Sequence, residues 1–269
     1  MKTPALQRRL VRRLATVLLT GTLAATAAPA GAVLEDPANP WLDRRVMNMP
    51  HSGGEDEAPT NTMYAFKRAV RLGGDMIELD VQSTKDDRLV VIHNATVDAN
   101  TNGTGYVKDM GWRRLNRLDA AHWFIPGESH SDHDAPPRAY ELRGARYGKV
   151  RVPGYQPRDF AIPTLRRVFR AFPDVPINIE IKGTSDTDLQ SFLHNAELLA
   201  RFLNRRDRAD VIVASFQDAA LAHFHRLAPQ VPLSAGTAAM AAYVATGAPL
   251  PPGTVALQAP VRYQGVPVI

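Results

Sequence analysis

The sequence contains no cysteine. That excludes disulfides, a lipid anchor attached through cysteine, and metal sites built from thiolates. Nor is there a long undiluted apolar run near the start: the stretch from Leu14 is short and interrupted by Gly, Thr and Ala, which argues against a membrane span. Acidic residues are missing from the first 32 positions, where Lys2, Arg8, Arg9, Arg12 and Arg13 form a basic opening. Together with the small-residue ending Ala28-Pro29-Ala30-Gly31-Ala32, this is the pattern of a cleaved signal peptide over residues 1–32. Arg8-Arg9 and Arg12-Arg13 invite a twin-arginine reading, but the residues after each pair fit it poorly. The expected location is secreted or periplasmic. The net charge of +5 resides in this leader, so the remainder is near neutral and has no basic excess that would bind nucleic acid. No glycine-rich loop runs into the helix start that a nucleotide P-loop needs.

The 269 residues suffice for one α/β barrel or two ordinary domains. Residues 33–45 read as an exposed lead-in and 46–269 as one domain. Strands are expected over 45–49, 76–81, 89–93, 176–182, 210–216, 232–236 and 254–259. Helices are expected over 63–72, capped by Thr60 or Asn61, then 164–172, 186–204 and 217–227, with a weak one near 238–245. Strands of nearly continuous apolar character alternating with helices predict a helix-covered parallel sheet, and hence a (β/α)8 TIM barrel. About seven strands precede the chain end, so the barrel is expected to be incomplete, lacking its last βα unit. Between the third and fourth strands the pattern dissolves into Pro, Gly, Tyr, Arg and His over about 127–160, a long insertion loop. Its Tyr140, Tyr147, Tyr155 and Phe160 either pack as an ordinary insertion or form a lid or membrane-facing edge. Its His130, Asp132, His133 and Asp134 are a second candidate metal cluster or a polar loop.

The most informative stretch is Ile77-Glu78-Leu79-Asp80-Val81. On a strand, Glu78 and Asp80 point the same way, roughly 7 Å apart. Two acids facing one another in an apolar run repel unless a positive charge lies between them. A hard divalent cation, which takes oxygen ligands, is the simplest such charge. In a barrel the active site lies at the C-terminal strand ends. His51 after the first strand, His93 ending the third, and Glu180 and Lys182 on the fourth would then share one mouth with that pair. The Gly53-Gly54 and Gly103/Gly105 loops could cradle a phosphate through backbone N–H groups. His194, His223 and His225 lie on expected helices and read as surface or packing residues.

His51-Ser52-Gly53, Pro59-Thr60-Asn61-Thr62, Ala65-Phe66, Glu78-Leu79-Asp80-Val81, Thr84-Lys85-Asp86, Val90-Val91-Ile92-His93, Thr101-Asn102-Gly103-Thr104-Gly105 and Glu180-Ile181-Lys182 occur in this order. The set closely resembles the glycerophosphodiester phosphodiesterase family, within the phosphatidylinositol-specific phospholipase C-like superfamily of TIM barrels. The resemblance implies hydrolysis of glycerophosphodiesters to sn-glycerol 3-phosphate and an alcohol, with a divalent metal cation, Ca²⁺ or Mg²⁺. It implies Glu78, Asp80 and Glu180 as metal ligands, His51 and His93 as the general acid/base pair, and Lys182 and Ser52 as substrate-binding residues. The chain departs from the family where Ser52 replaces an Arg and His93-Asn94 replaces His-Asp. Two further readings stay open: phospholipase D-like or lysophospholipase D-like action on lipid phosphodiesters, and a non-catalytic phosphate- or headgroup-binding relative. The partner is a small-molecule glycerophosphodiester and not nucleic acid; transient membrane-surface contact and the oligomeric state are left open.

Overall fold

A computed structural model describes residues 39–128, 131–259, 262–263 and 266–267. The expected signal peptide lies outside the described residues. The chain separates into two units, Met1–Asn39 and Pro40–Ile269, and the fold described here is that of the second.

The segment 45–49, expected as the first strand, takes no regular structure and forms no strand of the sheet. The Asn48 carbonyl accepts from Asp75 N at 2.8 Å and Met76 N at 3.3 Å, while the Asn48 N–H goes to the Asp75 carboxylate at 2.8 Å. That side chain diverts the donor a ladder would use. The chain then enters a 3-10 turn, His51–Gly53. Helix α1, Met63–Arg71, follows, with Met63, Phe66 and Ala69 buried on one side. Its cap is Thr62, whose hydroxyl accepts from Ala65 N at 3.1 Å, and neither Thr60 nor Asn61 as expected.

Strand β1, Ile77–Ser83, is buried along its whole length. The next strand, β2, Leu89–Val91, returns antiparallel to β1, so the third expected strand is the return arm of a hairpin and not a parallel member. The tight Lys85-Asp86-Asp87 turn leaves no room for a crossover helix, and parallel pairing requires one. After the short helix α2, Trp112–Leu115, come helix α3, Leu165–Ala171, and strand β3, Ile177–Ile181. They are followed by helix α4, Leu189–Leu203, strand β4, Val211–Ala214, helix α5, Asp218–Leu227, and strand β5, Leu233–Ser234. Helix α6, Thr237–Thr246, buries no residue, and strand β6, Thr254–Ala256, ends the sheet. The order is β2-β1-β3-β4-β5-β6, all parallel except β2, in a sheet that does not close. Six strands in one sheet replace the seven expected, because 45–49 stays outside. The architecture is that of an incomplete (β/α)8 barrel.

Side-chain alternation gives the sheet two faces. Ile77, Leu79, Val81, Ile177, Ile179 and Ile181 point outward into one core with Phe66 of α1, Leu165 and Val168 of α3, and Phe192 and Leu199 of α4. Glu78, Asp80, Asn178 and Glu180 take the other face, toward the barrel interior. The core therefore orients the acids: turning them outward would bury charge among the isoleucines.

The insertion is packed. Tyr140 and Phe160 are buried, and Tyr64 of α1 meets the Tyr155 and Phe160 rings at 4.5 and 4.8 Å. Buried Asp159 ties it to α1 through Lys67 at 2.9 Å and to α3 through Arg167 at 2.7 Å. Exposed Tyr147 accepts from Asn102 Nδ2 at 3.0 Å and donates to the Arg117 carbonyl at 3.1 Å. These contacts favour the packed reading over a lid. No helix among the described residues is long and apolar enough to cross a membrane.

Candidate active site

The parallel register sets Asp80 of β1 directly beside Glu180 of β3, with Glu78 two residues back on the same face. One ligand oxygen from each of Glu78, Asp80 and Glu180 lies within 4.8 Å of the others. Glu78 and Asp80 are 4% and 0% exposed, so repulsion among these acids is scarcely screened. Burial first, then the nearby Asp80 charge, pushes the Glu78 carboxyl up to about 7, against a hydrogen bond from Ser52 N. Burial likewise raises Glu180, with Lys182 opposing.

Lys182 Nζ lies 2.7 Å from Glu180 Oε1 and 3.3 Å from Asp80 Oδ1. Burial pulls the Lys182 ammonium down, but Asp80 and Glu180 outweigh it and hold it above its ordinary value. Those same two oxygens are buried and accept no well-formed hydrogen bond, and the Lys182 ammonium is the cation within ion-pair distance of them among the described residues. Three converging carboxylates with under-satisfied oxygens fit a hard divalent cation. The triad could hold a metal ion.

Asp80 is fixed from behind by Asn61, which the sequence offers as a candidate helix cap. Asn61 Nδ2 donates to Asp80 Oδ2 at 2.8 Å, and Asn61 Oδ1 accepts from Asp80 N at 3.1 Å. Asn61 is 3% exposed and has φ 58°, a left-handed conformation that Asn adopts more readily than most residues. The signal that could have found it is its place before the true cap, Thr62, in a buried polar run.

Ser52, with φ 48°, is also buried. Its N–H donates to Glu78 Oε2 at 2.5 Å and its hydroxyl to Asp80 Oδ2 at 3.3 Å. Ser52, expected to bind substrate, thus has its polar groups turned to the two carboxylates. Gly53 must be glycine: φ is +87°, and a Cβ there would stand 2.8 Å from Ala65 Cβ of α1. The expected glycine phosphate cradle is not available. Gly53 N and Gly54 N bond the carbonyls of Pro50 and His51, and Gly103 N and Gly105 N bond the side chains of Thr101 and Asp98.

Both predicted imidazoles are exposed, on elements bordering the triad. His51 Nδ1 lies 2.8 Å from Glu55 Oε2, and burial, which lowers its pKa, is outweighed by Glu78, Glu55 and Asp80. His51 is therefore held above 6.5. His93 follows β2; its Nδ1 is 2.8 Å from Asn94 Oδ1, and its carbonyl accepts from Gln82 Nε2 at 3.0 Å. Asn94 stood out in the sequence only as a departure from the family's His-Asp, and nothing in the periodicity marks Glu55 or Gln82 as partners of the site. Of the second candidate metal cluster, His130 lies outside the described residues and His133 stacks on Trp123 at 4.1 Å. Among the described residues only the Glu78, Asp80, Glu180 group has metal-ligand proximity. His194 and His223 bond Asp87 and Glu197 at 2.9 and 3.2 Å.

The glycerophosphoryl diester phosphodiesterase family model matches residues 51–256. A glycerophosphodiester phosphodiesterase of Caldanaerobacter subterraneus is 36% identical over 184 residues, covering 67% of this chain and 62% of that protein. One from Bacillus altitudinis is 35% identical over 184 residues, covering 68% and 63%. The chain thus spans about three fifths of the length of these relatives. Among solved structures, an Oleispira antarctica phosphodiesterase in complex with the product sn-glycerol-3-phosphate is 20% identical, with a TM-score of 0.51 over 71% of this chain and 65% of that one. With the match running from the first site histidine to the last strand of the sheet, the chain belongs to the glycerophosphoryl diester phosphodiesterase family.

Proposed function

We propose that the protein hydrolyses glycerophosphodiesters to sn-glycerol 3-phosphate and an alcohol, outside the cytoplasm. The observation that carries this is the convergence of Glu78, Asp80 and Glu180 oxygens within 4.8 Å, bordered by two imidazoles. The names of the relatives and the product held by the Oleispira protein support the substrate class. Glu78, Asp80 and Glu180 would hold Ca²⁺ or Mg²⁺, which when bound offsets the phosphodiester charge and fixes its oxygens. Lys182 adds a cation at the same mouth, in the place where the anionic substrate must approach carboxylates.

The two histidines divide the proton work. His51, whose hold on its proton is strengthened by its carboxylate neighbours, donates a proton to the departing alkoxide. On His93, the Asn94 amide oxygen accepts from Nδ1–H, which leaves the Nε2 lone pair free to take a proton from the attacking oxygen. Ser52 and Asn61 position Glu78 and Asp80 without touching substrate. The leader at residues 1–32 would direct export.

The test is phosphorus NMR of glycerophosphocholine incubated with the purified protein and Ca²⁺ or Mg²⁺. The proposal expects sn-glycerol 3-phosphate to accumulate and chelation to stop it. Accumulation of phosphocholine, or no turnover by a folded protein under either metal, would sink it. A lysolipid arm separates the lysophospholipase D-like reading, which requires turnover of micelles in preference to the soluble diester.

A further inference from the structure

On the outer side of the sheet, away from the acids, a groove of about 780 Å³ runs between α3 and α4. Its walls carry Arg166 of α3 and Arg201, Arg205 and Arg206 at and beyond the end of α4. It adjoins a second hollow, shared by Arg166 and Arg206, that adds Arg170. Among the described residues, none of these five arginines has a carboxylate within ion-pair distance. Asp86, Asp87 and Arg88 also line the groove, but Asp86 pairs with Arg88 and Asp87 meets His194, and Asp207 is exposed at the rim of the second hollow.

Helix dipoles explain part of this and leave the rest. A cation in the last turn of a helix is favourable, which suits Arg170 and Arg201. Arg166 is in the first turn of α3, where a cation is disfavoured, and stands one turn from Arg170, a like-charge spacing that costs stability. Arg206 is half-buried and held in place: its guanidinium lies 3.4 Å from the Phe202 ring centroid and donates to the Phe202 carbonyl. Burial and the neighbouring charges of Arg166 and Arg205 weaken its hold on its proton. A near-neutral domain that gathers four guanidinium groups without carboxylate partners around one groove, and a fifth in the adjoining hollow, accepts a standing repulsion. A multiply charged anion would relieve it, and guanidinium forks match phosphate oxygens two at a time.

We propose that this groove is a binding site for a soluble, multiply charged phosphate anion, separate from the acidic cluster. The occupant is a soluble anion and not a bilayer: Arg166, Arg201 and Arg205 are exposed, but they line a concavity between helices and not a flat face. None of the large apolar side chains exposed among the described residues, such as Leu42, Val46, Phe216 and Tyr243, lines the groove to enter a membrane. The volume is that of a small-molecule pocket. This inference does not depend on the hydrolase reading.

The experiment is calorimetric titration of tripolyphosphate into the full-length chain, in low and high salt. Three variants accompany it: Arg201→Gln with Arg205→Gln, Arg166→Gln with Arg170→Gln, and a charge-matched control, Arg113→Gln with Arg114→Gln, on exposed positions of α2. The proposal expects one bound tripolyphosphate, weakening with salt, and at least about tenfold weaker binding in either groove variant with the control unchanged. Thermal unfolding of the variants checks that they fold. Absence of binding to the wild type, equal weakening in the control, or binding of phosphatidylglycerol vesicles in place of tripolyphosphate would each overturn it.

Discussion

Replacing Glu78 by glutamine should stabilise the chelated protein above neutral pH while destroying its metal site. The carboxyl ordinarily titrates at 4.5, and burial with the Asp80 charge moves it to about 7 in the folded chain. Because the folded value is the higher, the native state holds the proton more tightly than the unfolded chain. The stabilising contribution is full below 4.5, falls as pH rises, and is lost once pH passes about 7. At about 1.4 kcal/mol per pH unit, the loss amounts to about 3 kcal/mol between the two limits. Glutamine keeps the oxygen that accepts from Ser52 N and cannot ionise, so Glu78→Gln should remove that loss. Urea unfolding in chelator, followed by circular dichroism at about pH 5 and about pH 8.5, compares the two proteins. Wild type should lose about 2.5 kcal/mol more than Glu78→Gln across this range, part of the loss having already occurred by pH 5. Parallel pH profiles for both proteins would refute the reasoning, since they would mean Glu78 is ionised in the folded state at no cost.

His51→Gln should lower kcat by about 10²–10⁴-fold and flatten the alkaline limb of the pH–rate profile, because His51 must be protonated to act and its pKa is raised. His93→Gln should lower kcat similarly while leaving the alkaline limb in place; loss of that limb in both variants would remove the division of roles. Asn61→Ala, read by thermal unfolding, should cost about 1–3 kcal/mol by leaving Asp80 oxygen and N–H groups without their partner. Asn61→Ala should also weaken metal binding, whereas Leu79→Ala on the opposite face should cost about 2–5 kcal/mol with the metal affinity of the folded fraction unchanged.

The parts of the site legible in the sequence were those that follow from strand alternation and an ordered set of motifs. Glu78 and Asp80 share a face because β-strand periodicity is two, and Glu180 joins them because β3 pairs beside β1 in register. Less legible were features set by tertiary hydrogen bonds. The 45–49 segment has strand-like composition, yet Asp75 takes its N–H donor. The 89–93 segment looks like any other apolar strand, and its antiparallel direction is fixed by the length of the turn before it. Asn61 and Ser52 illustrate the same limit: each is a small polar residue in a loop, and its role depends on a left-handed backbone that aims it at a carboxylate. The arginine groove was not legible either, since its members are scattered between Arg166 and Arg206 and meet only when α3 and α4 pack on the sheet.

The central claim, that Glu78, Asp80 and Glu180 together hold one divalent cation needed for hydrolysis, is tested most directly by titrating Ca²⁺ and Mg²⁺ into the chelated full-length protein while following glycerophosphocholine turnover. The account predicts a single site whose occupancy tracks turnover, with proton release on binding below about pH 7 as Glu78 ionises, and with affinity reduced at least about tenfold by Glu180→Gln. Turnover that persists in chelator, or metal binding undiminished in Glu180→Gln, would contradict it.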